Sequence, residues 1–385
     1  MGSTFYVVGS GIVGSVIAHE LAESGNKVIV WERREHTGGN LFDFTDEFGV
    51  HVHLYGPHVF HTKIERVWTY VNRFCEFRDF NLVCGSVIDG ICVPTSFDLQ
   101  SVDRFFPDEA ETIKQHIVQV FGERKSASVL ELLECGDEYI RRFAIFLYEK
   151  DYAPYTAKQW GIRPEEVDRD IFKRVPVLLE YGSRYFDDPY QAIPSKGYME
   201  LIGNLLDHEN IEVCTGVEAL DHISIRGSSL AIDGEVPDGT VIYTGPIDEL
   251  FACRFGKLPY RSLRFEWKHE EIDSFQEMPV VAYPQADGYT RITEYKKLPP
   301  QNVKGTTYAV EYPLPYRSGC KQEPYYPVLT DESKKLYEQY RALAENTDKL
   351  VCCGRLAEFK YYNMDLAVDR ALTVAEQLLK EDNNE

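Results

Sequence analysis

Apolar positions in the first thirty residues follow two rhythms. Phe5 to Val8 is a short continuous apolar run, whereas Val13, Val16, Ile17 and Leu21 recur at helical spacing until Ser24-Gly25 stops them. A second apolar run then ends in Glu32. The pattern predicts strand, glycine turn, helix and strand. Downstream, "VHVHLYGPHVFHT" (50–62) is aromatic and histidine-rich, with a turn forced at Gly56-Pro57, and residues 82–94 alternate as strands do. From about 98 to 180 the rhythm becomes helical: "DRFFPDEAETIKQHIVQVFG" and "SVLELLECGDEYIRRFAIFLYEKDY" carry apolar positions three and four apart, with acids near their starts. Residues 197–216 read as helix then strand, and 239–251 as a strand entering a glycine turn. Residues 258–315 are β-rich with turn residues between the runs, and the last stretch reads as strand, Gly-Arg and helix.

The chain therefore reads as α/β, a Rossmann-like dinucleotide domain assembled from residues 1–80, 195–250 and 345–385. A helical insert (98–185) and an antiparallel β-sheet insert (81–97 and 251–344) complete it. At 385 residues the chain is too long for one ordinary core, and 44% hydrophobic with 13% aromatic residues is the composition of a folded protein. A formal charge of -21 argues against a nucleic-acid or anionic-membrane surface, so an anionic substrate needs a local basic pocket. Nine cysteines without a C-x-x-C pair read as reduced thiols of a cytoplasmic protein. The early apolar run is broken by glycines and lacks a basic flank, so neither a signal peptide nor a membrane helix is expected.

Gly9, Gly11 and Gly14 form G-x-G-x-x-G between the first strand and helix. The first glycine makes the tight turn, the second admits a pyrophosphate to the backbone, and the third lets helix pack on strand. Glu32 stands where an acid accepts both hydroxyl protons of an adenosine ribose. NAD and FAD share these features. The continuation "ERREHTGGN", with Arg33, Gly38, Gly39 and Asn40, resembles the FAD fingerprint of the glutathione-reductase-like flavoproteins, especially the amine oxidase and GDP-dissociation-inhibitor branch. FAD is therefore the expected cofactor.

Eight motifs then occur in order: "YGPHVFHT", "YTAKQWG", "KRVPV", "GPID", "YRSLRFE", "YTRITEYK", "PYYP" and "GRLAEFKYYNMD". Over nearly the whole chain they resemble the bacterial UDP-galactopyranose mutases. That resemblance implies an isomerase in which reduced FAD attacks the anomeric carbon of a nucleotide sugar through N5, expels the nucleoside diphosphate and allows the ring to reclose as a furanose. It implies that Arg174, on a lid loop, and Arg291 neutralise the leaving diphosphate. His58 and His61 would sit at the flavin ring, with His58 able to orient groups around N5 or the sugar. Arg355 and Met364 would lie beside the cofactor. Tyr155, Trp160 and Tyr185 would line the nucleotide and sugar side, and Tyr326 and Tyr361 would contact phosphate or sugar. NAD(P)H or a flavin reductase is a candidate reductant, and a homodimer a candidate assembly.

Three departures fall on the substrate side. Asp151 and Tyr152 occupy the positions of the family's two phenylalanines beside uracil, Ala282 stands where many members have Asn, and Asn363 replaces an Asp. An Asp151 facing the base can accept from uracil or thymine N3–H, or from two N–H groups of guanine; a solvent-facing Asp151 at a helix end is the alternative. UDP-galactose is the first substrate expectation, followed by a dTDP-sugar such as dTDP-fucose and then other nucleotide sugars. The histidines at 51, 53, 58 and 61 invite a metal, but no acid or cysteine lies among them and no metal is expected. Cys352 and Cys353 read as buried strand residues. Two competing readings are a flavin oxidase, which leaves the two arginines without a task, and a flavin-free binding protein like the GDP-dissociation inhibitors.

Overall fold

The glycine turn joins the strand Thr4–Val8 to the helix Ile12–Glu23 in a computed structural model of the chain, which describes residues 3–161, 163, 175–182 and 185–382. The strand Lys27–Glu32 follows, so the opening unit is strand, helix, strand as the rhythm predicts. Five parallel strands form the nucleotide sheet, in the order Ile211–Thr215, Lys27–Glu32, Thr4–Val8, Val241–Tyr243 and Leu350–Cys352. Three of these come from distant parts of the sequence. The helix Ile12–Glu23 packs against Tyr198–Leu206 and Met364–Asp382. Their shared core includes Val7, Val16, Ile17, Leu21, Val28, Val30, Leu201 and Val368, all fully buried.

A second sheet has seven strands, in the order Tyr326–Pro327, Tyr260–Glu270, Thr306–Pro315, Arg291–Glu294, Val280–Ala282, Cys84–Ile88 and Ile91–Thr95. It is antiparallel except where Val280–Ala282 meets Cys84–Ile88 in parallel. The parallel pair arises where two remote stretches of chain meet, since no short turn connects them. Apolar alternation within each stretch carries no information about that direction.

The helical region divides into Leu99–Phe105, Ala110–Phe121, Val129–Leu133, Glu138–Leu147 and Ala153–Trp160, with a wide turn over Tyr148–Tyr152. The long periodic runs are cut where Pro107, Gly122 and Gly136 interrupt them. Ser128 and Glu131 cap each other reciprocally, and Asp137 accepts from Tyr139 N and Ile140 N, which fixes the new helix starts. A three-stranded sheet of Phe60–Thr62, Tyr190–Pro194 and Phe77–Asp79 adjoins these parts. Among the described residues no helix is long and apolar enough to cross a membrane.

Candidate active site

Two cavities meet at one place. The first runs along the glycine turn, past Glu32 to Arg34, Gly38 to Leu41 and Gly245, and ends at His58, Arg355, Asn363 and Met364. The second is a cleft of about 1260 Å³ between the helical region and the seven-stranded sheet, and it is lined by those same four residues at its inner end.

The first cavity is shaped by close backbone approach. A Cβ on Gly14 would stand 1.9 Å from the Gly9 carbonyl oxygen, and one on Gly39 would stand 3.0 Å from Gly11 Cα. Any larger residue at Gly14 would force the helix off the strand. Gly11 caps the helix without a side-chain hydrogen bond, and no acid stands in the first turn. The N–H groups there are thus available to an anion. Glu32 is 5% exposed; its Oε2 accepts from Ser10 N at 3.0 Å and Ser10 Oγ at 2.7 Å, and Oε1 accepts from Arg34 N at 3.0 Å. The carboxylate is held rigid and still lines the cavity. Glu323 accepts from Arg33 and, at 2.6 Å, from Arg34, whose Nη2 also donates to Asn40 at 2.9 Å. The Glu323 to Tyr325 segment is thereby tied across the cavity mouth. Gly9, Gly11, Gly14, Glu32, Arg33, Gly38, Gly39 and Asn40 thus share one wall, and a dinucleotide's ribose and pyrophosphate fit the donors and acceptor they present.

At the junction, His58 Nδ1 is buried without a hydrogen bond. Burial, aided by His53 and Arg355, pushes the His58 ring down to about 3, so it is neutral near pH 7. A neutral imidazole with an unsatisfied nitrogen suits a polar ring system such as a flavin placed at the end of the first cavity. His61 stands elsewhere: it lines only the cleft, with its ring stacked on Phe186 at 3.7 Å and Nδ1 at 2.6 Å from Asp188. The neighbouring His51 and His53 gather with Asp43, an acid too far away in sequence to be noticed beside them. Asp43 is engaged at the start of Tyr198–Leu206, accepting from Tyr198 N and Met199 N. His53 Nδ1 accepts the His58 N–H at 3.1 Å, which leaves the ring proton of a neutral His53 on Nε2. That nitrogen presents a proton to the cluster and no lone pair for a metal.

Cations line the cleft. Arg291 directs Nε and Nη2 at Glu311 Oε2, each at 2.7 Å, and Glu311 is 2% exposed. The Arg291 fork is fixed on one edge, with its other N–H groups free of that clamp. Arg355 lies 5.3 Å from the ring centres of both Tyr326 and Tyr361, which stack at 5.8 Å. Its Nη1 and Nη2 donate to the Tyr325 and Tyr362 carbonyls. Tyr155, Trp160 and Tyr185 also line the cleft, as does Tyr152, whose hydroxyl donates to the Val175 carbonyl at 2.8 Å. Asp151 does not point to solvent: it is 8% exposed, lines the cleft, and accepts from Ser86 Oγ at 2.5 Å. Ala282 and Asn363 also line it. Arg174 lies outside the described residues.

Several site residues were not singled out in the sequence. Arg261 lines the cleft at 8% exposure and donates from Nε to the Gln159 carbonyl at 3.0 Å. Burial holds its guanidinium below its usual range, and no ion pair offsets this among the described residues. A signal existed, since Arg261 falls in the same alternating phase as Leu263 and Phe265. A charge in an apolar phase marks a buried site. Glu311, Ser86 and Asp188 gave no comparable signal, because each acts through a residue remote in sequence. Burial pushes the Cys352 and Cys353 thiols up to about 12, which suits inert thiols, but only part of the expectation holds: Cys352 ends the strand Leu350–Cys352 half-buried, and Cys353 is buried just past it.

A family model described as UDP-galactopyranose mutase matches residues 150–361, and one described as an NAD(P)-binding Rossmann-like domain matches residues 7–74. A UDP-galactopyranose mutase of Mycoplasma pneumoniae is 33% identical, with 98% of this chain and 96% of the relative covered. A dTDP-fucopyranose mutase of Escherichia coli is also 33% identical, over 97% of this chain and 98% of the relative. Among solved structures, a reduced UDP-galactopyranose mutase has the same fold, with a TM-score of 0.71 and 14% identity over 98% of this chain and 96% of its own.

Proposed function

The chain belongs to the UDP-galactopyranose mutase family, and on that footing we propose that its two joined cavities hold FAD and a nucleoside-diphosphate sugar, with UDP-galactopyranose as the first candidate substrate. It is a mutase of the isomerase class, which displaces the oxidase and flavin-free readings, and a flavin is the cofactor that this family implies. The observation that carries the reading is the shared lining: His58, Arg355, Asn363 and Met364 face both cavities, so a group at the end of one meets a ligand in the other.

A reduced flavin bound there would supply a nucleophilic nitrogen for the anomeric carbon. The chain's own residues do the rest. Arg291, preset by Glu311, holds the diphosphate and offsets the charge that grows as the glycosidic bond breaks. The Tyr326 and Tyr361 rings with Arg355 hold the adjoining part of the substrate. Neutral His58 accepts or donates a hydrogen bond at the ring end without adding charge. The aromatic walls exclude water, so the opened sugar recloses instead of being hydrolysed.

A dTDP-sugar is the second reading, supported by the equal identity of the E. coli dTDP-fucopyranose mutase. The test incubates reduced and oxidised protein with UDP-galactose, dTDP-fucose and a GDP-sugar, then separates the products by anion exchange. A new isomer in a reduced sample alone establishes the reaction and its nucleotide. Identical products with and without reductant remove the requirement for reduced flavin.

A further inference from the structure

The turn 283–290 joins the strands Val280–Ala282 and Arg291–Glu294, and Ala282 pairs with Arg291 where it closes. It therefore delivers Arg291 to the cleft. Lys158, on the helix Ala153–Trp160, reaches this turn from the other wall: Nζ donates to the carbonyls of Tyr283 at 2.6 Å, Ala286 at 2.8 Å and Tyr289 at 2.9 Å. An ammonium has three protons, and three carbonyl oxygens take them here. Among the described residues no carboxylate pairs with it. Asp287 and Asp151 act from beyond ion-pair range, and burial draws the ammonium down to about 8, which leaves it charged at pH 7.

The same helix end is held a second time, because its carbonyls at Lys158 and Gln159 accept from Arg261 on the strand Tyr260–Glu270. Tyr155, Gln159 and Trp160 line the cleft from the helix, and Ala282 and Arg291 line it from the hairpin, whereas Lys158 does not line it. We infer that Lys158 is a positioning residue: its ammonium, seated on the three turn carbonyls, fixes the helix bearing Tyr155 and Trp160 against the hairpin bearing Arg291. It thereby sets the width of the cleft where the diphosphate lies. This rests on the mutase reading above.

The seat demands a cation with protons to give. Without the ammonium, three carbonyl oxygens turn their negative ends to one point unsatisfied, which drives turn and helix apart. A methionine fills the stem but offers no donor. An arginine carries its donors in one plane and cannot aim three at oxygens gathered round a point. A shift of about 1 Å in Arg291 or in the aromatic wall is enough to cost on the order of a hundredfold in rate. A residue that touches no substrate can therefore govern binding and turnover together. The flavin cavity lies elsewhere, and neither this helix nor this turn lines it.

The test compares Lys158→Ala and Lys158→Met with wild type, as oxidised holoenzyme for UDP affinity by calorimetry and as reduced holoenzyme for turnover of UDP-galactose. Both variants should bind UDP roughly tenfold or more weakly and lose kcat/KM by at least as much, while the flavin reduction potential stays at the wild-type value. n-Propylammonium replaces the atoms that Lys158→Ala lacks, so it should restore most of that variant's UDP affinity. Tetramethylammonium, which has no proton to donate, should restore none at equal ionic strength, and Lys158→Met, whose stem fills the space, should not respond. Wild-type UDP affinity in Lys158→Met reduces Lys158 to packing and overturns the inference. So does a flavin-loaded Lys158→Ala that binds UDP weakly but ignores propylammonium. If Lys158→Ala does not retain flavin, Lys158→Met decides: weak UDP binding at an unchanged potential supports the clamp, and weak binding with a shifted potential overturns it as general damage. dTDP replaces UDP throughout if wild type binds only that nucleotide. A wild type that binds UDP yet forms no isomer overturns the mutase reading alone, because the affinity arm still tests the clamp. One that binds neither nucleotide overturns both.

Discussion

Glu311 holds the Arg291 fork through one oxygen, with a hydrogen bond from Nε and an ion-pair contact from Nη2, each at 2.7 Å. A preset cation costs nothing to reorganise when diphosphate charge grows, so its value lies in the transition state. Arg291→Ala should cut kcat by about a hundredfold or more, as for loss of one such charge partner. Glu311→Gln, which leaves the cation but loosens it, should cost about tenfold. Steady-state rates with an unchanged flavin absorption spectrum check both, and near-wild-type turnover of Arg291→Ala would contradict the assigned role. Asp151 allows a second measurement, of stability. Its folded pKa of about 6 lies above the unfolded value near 3.8, so the folded state binds the extra proton between them. Below pH 4 both states are protonated and Asp151 costs nothing; above pH 6 the full penalty of about 2 to 3 kcal/mol is present. Asp151→Asn should therefore raise the melting temperature of the ligand-free protein at pH 7.5, with the advantage fading toward pH 4.

Elements were legible wherever local chemistry decided them. The strand, turn and helix around Gly9 to Gly14 followed from apolar spacing and glycine placement because those contacts lie within thirty residues. The same closeness gives a sharp test: Gly14→Ala puts a Cβ 1.9 Å from the Gly9 carbonyl oxygen. Helix and strand must separate, at a cost of about 1–3 kcal/mol or more. Flavin content of the purified variant should fall well below stoichiometric; full occupancy would show that the turn tolerates the shift. The helical region was legible in type but not in division. Its cuts at Pro107, Gly122 and Gly136 were visible only as weak punctuation within strong periodicity. The parallel entry of Cys84–Ile88 beside Val280–Ala282 could not be read at all, since it depends on residues almost two hundred positions apart.

Across the molecule, the division into a nucleotide sheet, a helical region and a cleft sheet was readable from changes of rhythm, and the aromatic and cationic residues of the cleft from the motifs. What escaped was pairing across the cleft, above all Arg261. The chain carries a formal charge of -21, yet Arg261, Arg291 and Arg355 all face this one cavity. Among the described residues Arg291 has Glu311, whereas Arg261 meets only the carbonyls of Gln159 and Lys158 at the end of the helix Ala153–Trp160. A buried cation without a counter-charge costs free energy in the ligand-free protein. A diphosphate in the cleft would supply that counter-charge, so binding should recover what folding gave up. Arg261→Met keeps the aliphatic bulk and removes the charge. The variant without ligand should melt at or above the wild-type temperature, while the rise in melting temperature on adding saturating UDP should be at least halved. Thermal scans with and without UDP separate these effects. A variant that melts lower yet keeps the full UDP response would assign Arg261 to packing beneath Gly161, where its guanidinium fills the space that a Cβ would take, and not to the substrate.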